Sequence, residues 1–135
     1  MPEEQAQSPK PTLVLVEPSA EDIAQLGMEL PDWQWVEAPE DWPGSGRELP
    51  FRGPVRAVIV FARTNEENHA LGLCQAIRQR PEMADVPLLV AITMYQMLLG
   101  TEVKKMPNAH FIFRPVREHQ LRARIAEAGS EYTEE

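Results

Sequence analysis

Short runs of apolar, largely β-branched residues punctuate this chain, separated by segments with helical periodicity or turn chemistry. The first, Thr12-Leu13-Val14-Leu15-Val16, is continuously apolar after its threonine, as a strand buried on both faces requires. Ser19 follows, with Asp22 three residues on, a pairing that suits a helix N-cap. Ile23, Leu26 and Leu30 then recur at helical spacing until Pro31 ends the helix. A short second strand is expected at Trp33-Gln34-Trp35-Val36, and a third, strongly apolar one at Ala57 to Phe61. The next helix starts at Glu66-Glu67 and carries Ala70, Leu73, Cys74 and Ile77 on one face. Arg78 and Arg80 fall in its last turn, where cations suit the helix dipole, and Pro81 closes it. Leu88 to Ile92 reads as a fourth strand, Met94 to Val103 as a short helix, and Phe111-Ile112-Phe113 as a fifth strand. After Pro115 a final helix presents Leu121, Ile125 and Ala128.

Strands alternating with helices at this spacing predict an α/β fold, a doubly wound parallel sheet with helices on both faces. Such a sheet places its working site outside the carboxyl ends of the strands, where strand order reverses. Those ends are Glu17-Pro18, Phe61-Ala62-Arg63, Ile92-Thr93 and Arg114-Pro115. The periodic region defines one domain, residues 12–128, preceded by a proline-rich arm at 1–11 and followed by an acidic tail at 129–135; both ends are expected to be disordered. Between Glu37 and Val55 the pattern collapses. Pro39, Pro43, Gly44, Gly46, Pro50, Gly53 and Pro54 leave room for little more than a helical turn near Arg47-Glu48-Leu49.

Charge and composition narrow the function. A net charge of −8 on 135 residues argues against nucleic-acid binding, which needs clustered Lys and Arg. The single cysteine, Cys74, leaves no disulfide or thiolate metal cage, and on the apolar face of its helix it reads as a small core residue. His69, His110 and His119 are scattered and lack acids at ligand spacing, so they read as surface residues and no metal or cofactor is expected. No signal-peptide pattern or membrane span is present in the sequence, which makes the cytoplasm the expected location.

Three local patterns, in order and at suitable separations, carry a family resemblance. They are Thr12 to Pro18, then Ala57 to Arg78 with its ending Leu73-Cys74-Gln75-Ala76-Ile77-Arg78, and finally Phe111-Ile112-Phe113-Arg114-Pro115. Together they resemble the receiver domain of two-component response regulators, from about Thr12 to Ala128. The resemblance implies a five-stranded flavodoxin-like sheet of strand order 2-1-3-4-5, with the second helix shortened or replaced by the Pro/Gly-rich loop. It also implies a phosphoacceptor aspartate after the third strand and two magnesium-binding acids after the first. A hydroxyl after the fourth strand and a lysine after the fifth would complete the set. Carried onto this chain, the acidic pair becomes Glu17 and Pro18, and the acceptor becomes Ala62, with Phe61 and Arg63 on either side. The hydroxyl position falls on Ile92 with Thr93 beside it, the lysine on Arg114 and the aromatic switch position on Phe111.

The expectation is therefore an atypical, stand-alone receiver, a pseudo-receiver that is not an enzyme and cannot take a phosphoryl group in the family's manner. It would act by protein–protein contact in a two-component phosphorelay or related pathway, with a signalling protein as partner, no membrane or nucleic acid, and a weak homodimer as a further association. The family's usual docking face would include Tyr95, Met97, Leu98, Lys104, Lys105, Phe111 and Arg117. Trp42 and Phe51 read either as a cover for the sheet or as an exposed aromatic anchor. In the crevice, Glu17 and Arg114 read either as an ion pair in place of metal and phosphate or as two separately solvated side chains, with a small anion held by Arg63 and Arg114 as a further arrangement. The alternative function is a small-ligand or anion-binding protein or enzyme on the same scaffold. Against it, the crevice has no nucleophile with its base, paired carboxylates or dinucleotide fingerprint.

Overall fold

Each apolar run expected to be a strand is one. The computed structural model describes residues 11–39, 42 and 54–130. In chain order its elements are β1 (Thr12–Val16), α1 (Ala20–Glu29), β2 (Gln34–Glu37), β3 (Val55–Phe61), α2 (Glu67–Arg78), β4 (Leu88–Ile92), α3 (Met97–Lys104), β5 (Ala109–Phe113) and α4 (Glu118–Ser130). Short 3-10 turns at Pro81–Met83 and Met94–Gln96 precede β4 and α3. The strands form one parallel sheet in the order β2-β1-β3-β4-β5. Val14 lies opposite both Val36 and Val58, Ile59 opposite Leu89, and Val90 opposite Phe111.

The period of two in each strand divides the core between the faces. Leu13, Leu15, Ile59, Phe61, Leu89 and Ile112 point to one side, where they meet Leu26 of α1, Leu30 just after it and Leu121 of α4. Val14, Val58, Val60, Val90 and Ile92 point to the other, under Cys74 and Ile77 of α2 and Leu99 and Val103 of α3. These strand residues are fully buried, and each such side chain stabilises the fold by about 1.5–3 kcal/mol relative to exposure. The N-cap of α1 forms as its spacing predicts. Asp22 N–H donates to Ser19 Oγ at 3.0 Å, and Ser19 N–H donates back to the Asp22 carboxylate at 2.9 Å.

Several boundaries shift. β3 starts at Val55 and β5 at Ala109, because Thr12 and Leu88 on neighbouring strands offer ladder partners there, which side-chain pattern alone does not reveal. The helix expected from Met94 opens as a 3-10 turn and becomes α-helical only at Met97. The final helix continues past Ala128 to Ser130. Arg78 is more than a dipole cation. Its guanidinium donates to the carbonyls of Met83 (2.6 Å), Val86 (2.8 Å), Asn108 (2.9 Å) and Pro107 (3.0 Å), tying together the loops that lead into β4 and β5. Cys74 is buried, and its surroundings push the thiol up to about 12. Trp42 is also buried, in the cluster with Val14 and Val16, so it covers the sheet and is no exposed anchor. Phe51, the turn at Arg47-Glu48-Leu49, the arm before Pro11 and the residues after Ser130 lie outside the described residues. Among the described residues, no helix is long and apolar enough to cross a membrane.

Candidate functional site

The carboxyl ends of β1, β3, β4 and β5 converge on one crevice, as the strand order requires. Ala62 follows the last residue of β3, is 1% exposed and presents only a methyl group, with Phe61 buried before it. No carboxylate stands there. Glu17 follows β1 in a left-handed backbone conformation, φ 59°, which costs a non-glycine residue roughly 1 kcal/mol. Its carboxylate meets His69 Nε2 of α2 at 2.9 and 3.0 Å, so it does not reach Arg114. Of the two arrangements open for Glu17 and Arg114, the ion pair is not formed, and Glu17 meets His69.

Arg114 follows β5, and its bond to Pro115 is cis. It binds Asp22 instead, Nη2 to Oδ2 at 2.5 Å and Nε to Oδ1 at 3.2 Å, while Nη1 donates to the Ala62 carbonyl. The pair is largely shielded, with 21% of the Arg114 side chain and 12% of Asp22 exposed. Burial by itself would raise the Asp22 pKa. The hydrogen bond from Arg114 and those from Ser19 outweigh it and hold the carboxyl below its ordinary value. Asp22 takes the place of Glu17 because the N-cap places it at the third position of α1, rigidly aimed at the end of β5. The fork geometry of a guanidinium then reaches both the carboxylate and the strand carbonyl, which an ammonium could not do in one position.

On the other side of Ala62, Gln96 closes the crevice. It is 5% exposed. Its Oε1 accepts from Thr93 N–H at 2.9 Å, and its Nε2 donates to the Arg63 carbonyl at 3.2 Å and to Glu67 Oε2 at 3.0 Å. Ile92 is buried, and Thr93 at the end of β4 is half-buried. The sequence reading missed Asp22, His69 and Gln96 as crevice residues. For Gln96 a signal existed, because Thr93 with Gln three residues on is capping-box spacing. Asp22 and His69 lie far in sequence from their partners and carried none.

The donor set does not fit magnesium, which wants several hard oxygen ligands in octahedral order. Pro18 and Ala62 offer no side-chain oxygen, Glu17 is turned to His69, and Asp22 is taken by Arg114. Among the described residues, no group of three or more His, Cys, Asp or Glu could hold a metal ion. Beside this crevice a second hollow of about 350 Å³ lies between Glu17, Glu37, Trp42 and Arg63. Arg63 and Arg114 do not share an anion site, since Arg114 is committed to Asp22.

The remaining expected residues fall in three separate places. Tyr95 (98% exposed), Leu98 (84%) and Met97 (43%) lie on the Met94–Lys104 segment with exposed Lys104. Phe111 is turned inward against Gly100 and Phe113, so it is not a surface contact. Arg117 is exposed at the start of α4, 3.5 Å from Glu29. The structure does not bring it to the Tyr95 group.

No protein-family model matches this chain, and no curated protein does. Solved structures do. The bacteriophytochrome response regulator AtBRR superposes with a TM-score of 0.65 at 18% identity, covering 90% of this chain and 94% of its own. A second bacteriophytochrome response regulator, RtBRR, gives 0.60 at 14% identity, over 88% of this chain and 78% of that one. The signal receiver domain of a histidine kinase from Syntrophus aciditrophicus gives 0.58 at 14% identity, over 93% and 95%. The fold is therefore the doubly wound, flavodoxin-like one in its receiver form, with the strand order β2-β1-β3-β4-β5.

Proposed function

We propose that this chain is a receiver-type signal-transduction module that takes no phosphoryl group at the end of β3 and carries its signal through contact with another protein. One observation carries the reading. Where the acceptor carboxylate would stand there is Ala62, and Arg114, clamped by Asp22, lies on the Ala62 carbonyl. An acyl phosphate needs a carboxylate oxygen as nucleophile, and a methyl group supplies none. The charge that would meet the phosphoryl oxygens is neutralised within the chain. Gln96 fills the neighbouring space with three hydrogen bonds of its own, so the crevice resembles one locked conformation more than an open site. The setting implied is a two-component or related regulatory pathway.

The test is a backbone amide NMR titration with magnesium, then with beryllofluoride as a mimic of the acyl phosphate. Unmoved resonances at Glu17, Ala62, Thr93 and Arg114 are expected. Saturable shifts converging on those four would overturn the proposal and return the crevice to chemistry or anion binding.

A further inference from the structure

Four of the five large exposed apolar side chains among the described residues, all but Met28 of α1, fall on one stretch from Met94 to Leu98. Tyr95 and Leu98 stand almost fully in water, and Met94 beside them is 77% exposed. Single exposed apolar residues need no explanation, but a contiguous group that includes an aromatic ring marks a contact surface. The group borders a groove of about 360 Å³ between α2 and α3. Its apolar lining includes buried Leu99 and half-buried Leu71, with the exposed side chains of Leu98 and Tyr95 beside them. The rim is acidic, with Glu67 on α2 and Glu102 on α3.

The two acids are held differently. The amide of Gln96 donates to Glu67 at 3.0 Å, which favours the ionised carboxylate and fixes its direction. Glu102 is 3.0 Å from Lys105, an exposed pair of small worth that an incoming cation can displace. The groove thus offers apolar lining and negative rim together, on a chain of net charge −8.

We infer that the α2–α3 groove docks an amphipathic helical segment of a partner protein, its leucine-type side chains on Leu71, Tyr95 and Leu98 and flanking Lys or Arg against Glu67 and Glu102. The inference rests on reading this chain as a contact-driven module and names the partner's chemistry. Helix-in-groove recognition uses apolar anchors at helical spacing with charges beside them, which matches lining and rim here. Charge decides against the other occupants. A second copy would bring the same net charge of −8 against this acidic rim, and an anionic membrane surface would be repelled by it as well.

The probe is a short leucine–lysine amphipathic peptide, with its leucine–glutamate counterpart, titrated into isotope-labelled full-length protein and read by amide NMR. The lysine peptide is expected to shift Leu71, Tyr95, Leu98 and Glu102 saturably, the glutamate peptide to leave them still. Leu98→Ser should weaken binding about tenfold, the scale of a lost interface anchor. Glu67→Gln should weaken it severalfold and flatten its salt dependence. Equal binding of both peptides, shifts scattered over the acidic surface, or no shifts in the groove would overturn the inference. So would concentration-dependent shifts of the same residues without peptide, which would give the groove to a second copy. The magnesium and beryllofluoride titration reads different resonances, so failure there removes the proposed function while leaving this result legible, and the reverse.

Discussion

One guanidinium decides the character of the crevice. Arg114 donates to both oxygens of Asp22 and to the carbonyl of Ala62, joining the end of β5, the start of α1 and the end of β3. Partly shielded pairs of this kind lie between exposed ones, worth roughly 0–1 kcal/mol, and buried ones, whose breaking costs about 3–5 kcal/mol. A double-mutant cycle of Asp22→Asn and Arg114→Gln, followed by urea unfolding, should therefore give a coupling of about 1–2 kcal/mol. Arg114→Lys keeps the charge and loses the fork, and should recover less than half of it. The same cycle run between Glu17 and Arg114 should give a coupling near zero, because Glu17 is turned to His69. A large Glu17 coupling would mean that the crevice rearranges in solution.

Helix surfaces in this fold are set by what lies beneath them, and two glycines show it. Gly72 sits mid-helix in α2 with nothing within 4 Å of where a Cβ would be, so its lack of a side chain only weakens the helix. Gly72→Ala should stabilise the protein by about 0.5–1 kcal/mol in thermal or urea unfolding. Gly100 in α3 is different. A Cβ there would meet the Phe111 ring at 2.9 Å and Ile92 Cδ1 at 3.2 Å. That ring is itself boxed by His110, Phe113 and the Arg124 guanidinium, so it has little freedom to yield. Gly100→Val should destabilise by about 1–3 kcal/mol, and a neutral effect would show that α3 rides loosely on β5. From sequence the two glycines look alike. The same limit governs the whole reading. Strand runs such as Leu88 to Ile92 and the Ser19–Asp22 cap were legible because they are local patterns of apolarity and hydrogen-bonding chemistry. The carboxyl end of β3 at Phe61 was legible because the apolar run stops there, just before Arg63. What was not legible depended on contacts across the chain, namely which acid Arg114 meets, that Gln96 plugs the crevice, and that Phe111 faces in while Tyr95 faces out.

The protein as a whole should lose stability in acid in two steps, and the first belongs to a histidine. His110 is in β5 with 15% of its side chain exposed. Burial lowers its pKa below the ordinary 6.5, and the Arg124 and Lys104 charges add to this. The Phe111 backbone bond and Glu127 oppose it without cancelling it. Above pH 6.5 the imidazole is neutral in both folded and unfolded chains and contributes no pH dependence. As pH falls below 6.5 the unfolded chain takes a proton that the folded one refuses. Stability then drops at up to about 1.4 kcal/mol per pH unit until the folded pKa is passed, where this contribution levels off. The second step comes from carboxyls, whose folded pKa values are also lowered, so it runs in the same direction at lower pH. Asp22 is held below 3.8 by Arg114 and Ser19 against the raising effect of burial, so its stabilisation is complete above the unfolded value and fades as pH falls through the folded one. Glu127 and Glu118 are lowered too, by hydrogen bonds from Arg124 and from Trp33 respectively, and act in the same acid range. Urea midpoints measured from pH 8 to pH 3 should therefore show a shallow fall beginning near 6.5 and a steeper one below about 4. His110→Gln should remove the first and leave the second, while Asp22→Asn should shrink the second alone. If His110→Gln left the upper step untouched, the imidazole would have to be as well solvated in the folded protein as in the unfolded chain. The packing of His110 against Phe111 beneath α4 would then not persist in solution.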